Sequence, residues 1–360
     1  MTLSILSGNW QYVLPSAPKI GYLGWVGHGN LGDEALYLAF QRLFPRHRLL
    51  PFKYSAKTVW LEQIMRRKVF VATILGGGTL INKRAILDAL RAAQSRYQPS
   101  FALGTGVADP VFGMQKRGEP DGLHEWIECL ERCRFVGVRG PLSQHLLAQA
   151  GYPSAEIVGD TALTFADVTI APKRGTQLLG VNIGTAYGNV WGDEERILEF
   201  VVQLVTTMIG LGYRAVFVPM WDADLPYIQE AVKRINDPGA VSVFRDYHSV
   251  EATMQCLRTC DVFVGEKLHS VVLALCANTP SVMLEYQPKC LDFMMSMELE
   301  RFSIRTDRLS LDAAVDLLDE LAANIDAFQQ RIAKRAGYFR DLQQRKAADL
   351  AATMAQGLAS

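Results

Sequence analysis

The chain has 360 residues, 49% hydrophobic and 21% charged, and its 37 Lys and Arg balance its 37 Asp and Glu. That length suffices for two domains with separate cores, and the balanced charge sets up no global field toward nucleic acid or an anionic membrane. No stretch of about 18 apolar residues occurs, which excludes a membrane-spanning helix, and MTLSILSGNWQYVLPSAPK lacks the charged and apolar regions of a signal peptide. The six cysteines, at 129, 133, 256, 260, 276 and 290, form no C-x-x-C. They read as reduced, buried thiols rather than zinc ligands, so a cytoplasmic protein without a metal site is expected.

In chain order, KIGYLGWV (19–26) reads as a strand, followed by the loop GHGNLGDEAL and the amphipathic run ALYLAFQRLF. VFVATIL (69–75), SFALGTG (100–106) and RFVGV (134–138) are further strands, each closed by glycine or a polar turn, with helices between them. PLSQHLLAQAG has Pro141 near its helical start and Gly151 just past its end, the expected asymmetry. The set closes near EIVGDTALTF, and DVTIAPKRGTQ (167–177) reads as a linker. A second alternation runs from LLGVNIG through strands RAVFVPM, AVSVF, DVFVGE and SVMLEY, with amphipathic helices between. From Leu309 the chain reads as almost continuous helix, Gly337 being the main interruption. Such alternation implies parallel sheets with crossover helices. The expected organisation is an α/β protein with domains at 1–170 and 176–308 and a helical segment at 309–360. Two open sheets place a cleft between them, with ligands beyond the carboxyl ends of the strands.

The strand ends carry the chemistry. GHGNLG has the G-x-G-x-x-G spacing of dinucleotide binding, which demands an acidic residue about 20 positions on. After Glu34 the next acid is Glu62. Asp33 and Glu34 also stand at the positive end of the following helix, where they would repel a phosphate. Two uses remain. Asn30 or Asp33 caps the helix, or the glycines let a neutral hydroxylated ligand approach while Asp33 or Glu34 accepts its proton. The three glycines of GGGTLIN (76–82) point to a close ligand or a close backbone. Arg139 ends the RFVGV strand just before Pro141, beside exposed helix-start amides, a setting for phosphate or carboxylate. GEKLHS (265–270) puts Lys267, His269 and Ser270 at the start of another helix, a setting that suits a functional histidine.

Taken in order, GHGNLGDEAL, GGGTLIN, ALGTGV, VRGPLSQHLL, VGDTAL and GEKLHSVVLALCANTPSVMLEYQPK resemble the polysaccharide pyruvyl transferase family, over roughly residues 19–300. The resemblance implies two Rossmann-like domains facing a cleft, as in GT-B glycosyltransferases. It implies phosphoenolpyruvate as co-substrate with no other cofactor, and a sugar hydroxyl pair that becomes a cyclic pyruvate ketal with loss of phosphate. His269 would protonate the donor's methylene carbon, and Asp33 or Glu34 would deprotonate the attacking hydroxyl. Arg139, Lys267, Leu268 and Ser270 would hold the donor, and Gly29, Asn30, Gly77, Gly78, Thr79 and Asn82 would face the acceptor. Two residues depart from the family's pattern. Lys267 stands where arginine is usual, offering a point charge instead of a bidentate fork, and Gly140 stands where aspartate is usual.

The implied acceptor is a cell-surface or exopolysaccharide precursor, or a lipid-linked oligosaccharide that would bring the protein to the inner face of the membrane. Nucleic acid is not an expected partner. A GT-B glycosyltransferase using a nucleotide sugar, and a non-catalytic sugar-binding protein on the same fold, are the competing readings. The C-terminal stretch AVDLLDELAANIDAFQQRI has helical periodicity suited to packing across the domains or to a homodimer.

Overall fold

The structure, a computed structural model, describes residues 17–52, 62, 68–168 and 175–359. The expected linker lies partly outside these residues, at 169–174, as does the segment 1–16. The first sheet comprises β1 (Lys19–Leu23), β2 (Arg48–Pro51), β3 (Ala72–Leu75), β4 (Gly78–Ile81), β5 (Ser100–Val107), β6 (Phe135–Val138) and β7 (Glu156–Ile157). Its order is β2-β1-β3-β5-β6-β7, with β4 against β5. The second comprises β8 (Leu178–Asn182), β9 (Arg214–Phe217), β10 (Val241–Val243), β11 (Val262–Gly265), β12 (Ser281–Glu285) and β13 (Ser303–Arg305), in the order β10-β9-β8-β11-β12-β13. Every pairing is parallel. Helices cover both faces of such sheets, which is why β1, β3, β5, β11 and β12 are buried at every position and mostly apolar.

Each sheet reverses its winding once, between β1 and β3 and between β8 and β11. A crevice opens at such a reversal, and it is where α/β sheets take ligands. The loops at the first crevice are GHGNLG and the glycine run after β3; those at the second are GTAYGN and GEKLHS. The crevices face each other. The Leu31 N–H donates to the Met220 carbonyl across the domains at 2.8 Å, and Trp221 Nε1–H donates to the His28 carbonyl at 3.1 Å.

Two expectations need correction. GGGTLIN is not wholly a loop: Gly78 and Thr79 pair with Thr105 and Gly106, so β4 is a short strand laid on the far end of β5. The C-terminal helix breaks at Asn324, where Leu311–Ala323 ends, and Gly337 lies inside the 35-residue helix Ile325–Ala359. A Cβ at Gly337 would come within 3.3 Å of Val168 Cγ1, so this glycine serves a close approach and not a break. Along that helix Ile332, Ala336 and Phe339 join the core centred on the second domain, while Ala347, Leu350 and Met354 join a first-domain core. One helix therefore staples both domains, each buried large side chain contributing about 1.5–3 kcal/mol. All six cysteines are free, with Cys256 half-buried and the others buried. No helix among the described residues is long and apolar enough to cross a membrane.

Candidate active site

The first crevice is built by the start of helix Leu31–Leu43. Asn30 is its N-cap, with Oδ1 accepting the Gly32 N–H at 3.0 Å. Glu34 Oε1 accepts the Gly27 N–H at 2.6 Å and folds the loop onto its own helix. Gly27 and Gly29 have φ of +83° and +70°, which glycine adopts without strain. Asn30 and Glu34 are thus spent on the loop itself, and Asp33 is the carboxylate left for chemistry. It is half-buried, and a Cβ placed on Gly78 would stand 3.9 Å from its Oδ1. Burial raises the Asp33 pKa, opposed by the charges of His269, Lys289 and Lys83.

His269 enters from the second domain, on helix Leu268–Cys276. Its ring lies against the first turn of helix Leu31–Leu43: a Cβ on Gly32 would be 2.3 Å from His269 Nδ1. Only glycine permits that approach. His269 Nε2 stands 3.7 Å from Asp160 Oδ2, within ion-pair range but beyond hydrogen-bond reach. Asp160 is wholly buried, and its Oδ1 accepts the Ala162 N–H at 3.0 Å. Burial by itself raises the Asp160 pKa, but His269, Arg139 and the Ala162 N–H outweigh it and hold the carboxyl below its usual range. Gln343, buried on the C-terminal helix, fixes this loop by donating from Nε2 to the Val158 and Asp160 carbonyls at 2.9 and 2.8 Å.

The cations fall into two groups. Arg139 is 0% exposed; both terminal nitrogens reach Thr79 Oγ1 at 3.3 Å, and Nε lies 3.4 Å from Asp292 Oδ2. Asp292 comes from the second domain and also takes the Ser143 N–H at 3.1 Å and the Ser143 hydroxyl at 2.7 Å. The helix start at Pro141, where the sequence suggested a ligand anion, is therefore filled by the protein's own carboxylate. Gly140 makes room for it, since a Cβ there would be 2.1 Å from the Asp292 carbonyl oxygen. Lys267 is similarly engaged: Nζ donates to the Thr185 carbonyl and lies 3.5 Å from Asp224 Oδ1. Beside it, burial pushes the Glu266 carboxyl up to about 7.

Lys83 and Lys289 form no salt bridge with any described carboxylate. Lys289 Nζ sits 4.7 Å from the centroid of the Tyr286 ring. Surrounding protein lowers both ammonium pKa values, Lys289 to about 7, with Lys83, Lys267 and Arg139 adding to that depression. Lys83 is nevertheless exposed and Lys289 half-buried, so both can meet an anion arriving from solvent.

Of the residues picked from the sequence, Asp33, Gly78 and His269 meet at the cleft, and Thr79 reaches it through Arg139. Gly77 packs under Leu36 and Thr161. Asn82 bridges two loops, Nδ2 donating to the Ala108 carbonyl at 3.1 Å and Oδ1 accepting the Gly122 N–H at 2.9 Å. Ser270 turns inward, its hydroxyl donating to the Lys267 carbonyl at 2.6 Å. Leu268 is buried, and no side chain caps the helix it begins. Asp160, Lys83, Lys289 and Asp292 escaped the sequence reading. Asp160 and Lys289 lie within the quoted motifs VGDTAL and EYQPK, and Lys83 directly follows GGGTLIN, so proximity to a motif was the available signal.

Two facing Rossmann-like sheets define an α/β protein with the GT-B architecture, and solved structures agree. The glycotransferase of kitacinnamycin aligns at 14% identity and a TM-score of 0.54, covering 95% of this chain and 100% of its own. A UDP-glucosyltransferase from Polygonum tinctorium aligns at 13% and 0.55, covering 94% and 98%. The UDP-GlcNAc 2-epimerase of Neisseria meningitidis aligns at 7% and 0.50, covering 91% and 100%. At such identities the likeness concerns the fold alone. No curated protein matches the chain. The particular family follows from the sequence motifs: the model of the polysaccharide pyruvyl transferases matches residues 30–288, and the chain belongs to that family.

Proposed function

We propose that the protein transfers pyruvate from phosphoenolpyruvate to a hydroxyl pair of a glycan, forming a cyclic ketal and releasing phosphate. The observation that carries this reading is the meeting of His269 and Asp33, from opposite domains, beside the cations Lys83 and Lys289. The donor bears a phosphate and a carboxylate, and two lysines that form no salt bridge with a described carboxylate offer it charge-assisted hydrogen bonds. The uncapped first-turn amides at Leu268 add donors of their own. Arg139 and Lys267, already paired, act from behind by raising the local potential.

In this scheme His269 delivers a proton to the methylene carbon, which becomes a methyl group and leaves C2 electrophilic. Asp160 stabilises the imidazolium before that transfer, as a buried carboxylate behind a histidine does. Asp33, whose pKa burial raises, takes the proton of the first attacking hydroxyl. Phosphate then leaves C2, carrying the second hydroxyl's proton as that oxygen closes the ring. Glu34 serves the loop, accepting the Gly27 N–H. The acceptor is a polysaccharide precursor on the cytoplasmic side, at the inner membrane face where it is lipid-linked.

The test is phosphate release from phosphoenolpyruvate with and without candidate glycans. Release that requires the glycan and disappears in His269→Ala supports the proposal. A melting temperature raised by nucleotide sugars, with no acceptor-dependent phosphate, would favour a glycosyltransferase instead.

A further inference from the structure

The mouth of the cleft carries aromatic rings that the proposed chemistry leaves unused. Trp25 is 56% exposed and Tyr187 is 69% exposed; Trp221 is half-buried. Trp25 stacks on His28 with ring centroids 4.1 Å apart, and Tyr187 meets Trp221 edge-on at 6.0 Å. The bond from Trp221 Nε1–H to the His28 carbonyl joins the two pairs across the domains. Trp25 and His28 belong to the loop that leads into the Asp33 helix, while Tyr187 and Trp221 follow β8 and β9.

Tyr187 is held outward against its own preference. Its φ of +53° lies in the left-handed region, which a bulky residue occupies only when the surroundings over-determine it. Glu194 supplies that constraint. Its Oε1 accepts the N–H groups of Ala186 and Gly188 at 2.6 and 3.3 Å and the Thr185 hydroxyl at 3.2 Å. Thr185 Oγ1 in turn accepts the Tyr187 N–H at 2.9 Å. A large ring pushed into water at a strained position adds nothing to folding, so the strain points to use. Opposite it, a Cβ on Gly27 or Gly29 would meet nothing within 4 Å, so that loop offers open space beside Trp25.

We infer that Trp25, Tyr187 and Trp221 form a stacking platform for sugar rings of the acceptor chain, beyond the hydroxyl pair at Asp33. This inference rests on the site being one that modifies glycans, and it extends that reading from a single sugar to an oligosaccharide. The C–H face of a pyranose is the neutral, weakly positive partner that the negative face of an aromatic ring accepts. Glu34, Glu194 and Asp222 flank the platform, a charge distribution that disfavours a phosphate-bearing chain and favours a neutral hydroxylated one.

The experiment is calorimetric titration with neutral tetrasaccharides of glucose, of mannose and of galactose. Saturable binding of at least one of them is expected, with the dissociation constant raised about tenfold in Trp25→Ala and Tyr187→Gly. Tyr187→Gly removes the ring while relieving the left-handed strain, so lost binding there cannot come from a damaged loop, and Tyr187→Phe should retain binding. Absence of binding, or equal affinities in wild type and both ring-deleting variants, would overturn the platform. The donor reading fails separately. Ring-dependent binding without acceptor-dependent phosphate release leaves the platform standing and removes the transferase proposal. Acceptor-dependent release with the same acceptor KM in wild type and Trp25→Ala does the opposite.

Discussion

Arg139 and Lys289 lie near enough for their charges to interact, the first wholly buried and the second half-buried. Arg139 faces Asp292 and Thr79, and the shell is completed by Ser143 donating to the same carboxylate. Lys289, three residues before Asp292 in the chain, faces the Tyr286 ring and forms no salt bridge with a described carboxylate. The first arrangement is a closed ion pair that binds the domains together. The second is a charge kept short of compensation, which burial drives toward the neutral form and which an arriving anion would restore. On the proposed function, the cation that meets the donor is the one left without a salt bridge, whichever residue type carries it.

The largest expected effect is at the residue between the two corners: His269→Ala should lower the rate of acceptor-dependent phosphate release by about 10²–10⁴-fold, with an unchanged melting temperature separating chemistry from folding. Next, Asp292→Ala leaves Arg139 buried and alone and should destabilise the protein by about 3–5 kcal/mol, measured as a lower urea midpoint at constant slope. If stability held and donor affinity changed instead, the Arg139 corner would be the donor site and the comparison would invert.

Lys289→Met should raise the KM for phosphoenolpyruvate about 10–100-fold. In the wild type the same KM should climb as pH rises through about 7, where the ammonium loses its proton, and the variant should lack that limb. The stability effect has the opposite sense. The Lys289 pKa is about 7 in the folded protein against 10.5 for a free lysine, so between those values the unfolded chain binds more protons and stability rises with pH. Lys289→Met should therefore be more stable than wild type below pH 7, seen as a higher melting temperature alongside poorer donor binding. The smallest effect concerns the strap behind the histidine. Gln343→Ala strands the Val158 and Asp160 carbonyls and should cost about 1–3 kcal/mol, together with a modest fall in kcat through the loosened Asp160 loop; a loss of stability with kcat untouched would show that the strap does not position the site.

Local pattern made much of this legible. Strand runs such as VFVATIL and DVFVGE announce parallel sheets because strands covered on both faces are apolar throughout, and glycines after β1 and β3 announce crevices because a side chain there would block close approach. The motif residues Asp33 and His269 stood out for the same reason, being polar groups at strand ends. Side-chain partners were beyond reach. Nothing near Glu34 foretells its bond to Gly27, and nothing near Ser270 foretells that its hydroxyl turns back on Lys267.

By itself, then, the chain's order of residues determined the α/β class, the two sheets, the family and the loops that matter, since each depends on spacing within a few tens of residues. Only the tertiary structure decided which charges are free. Asp292 lies 149 positions from Ser143, and Asp160 lies far along the chain from the His269 it faces. Whether a cation is satisfied or waiting depends on what the other domain brings within about 4 Å, and no local pattern carries that information.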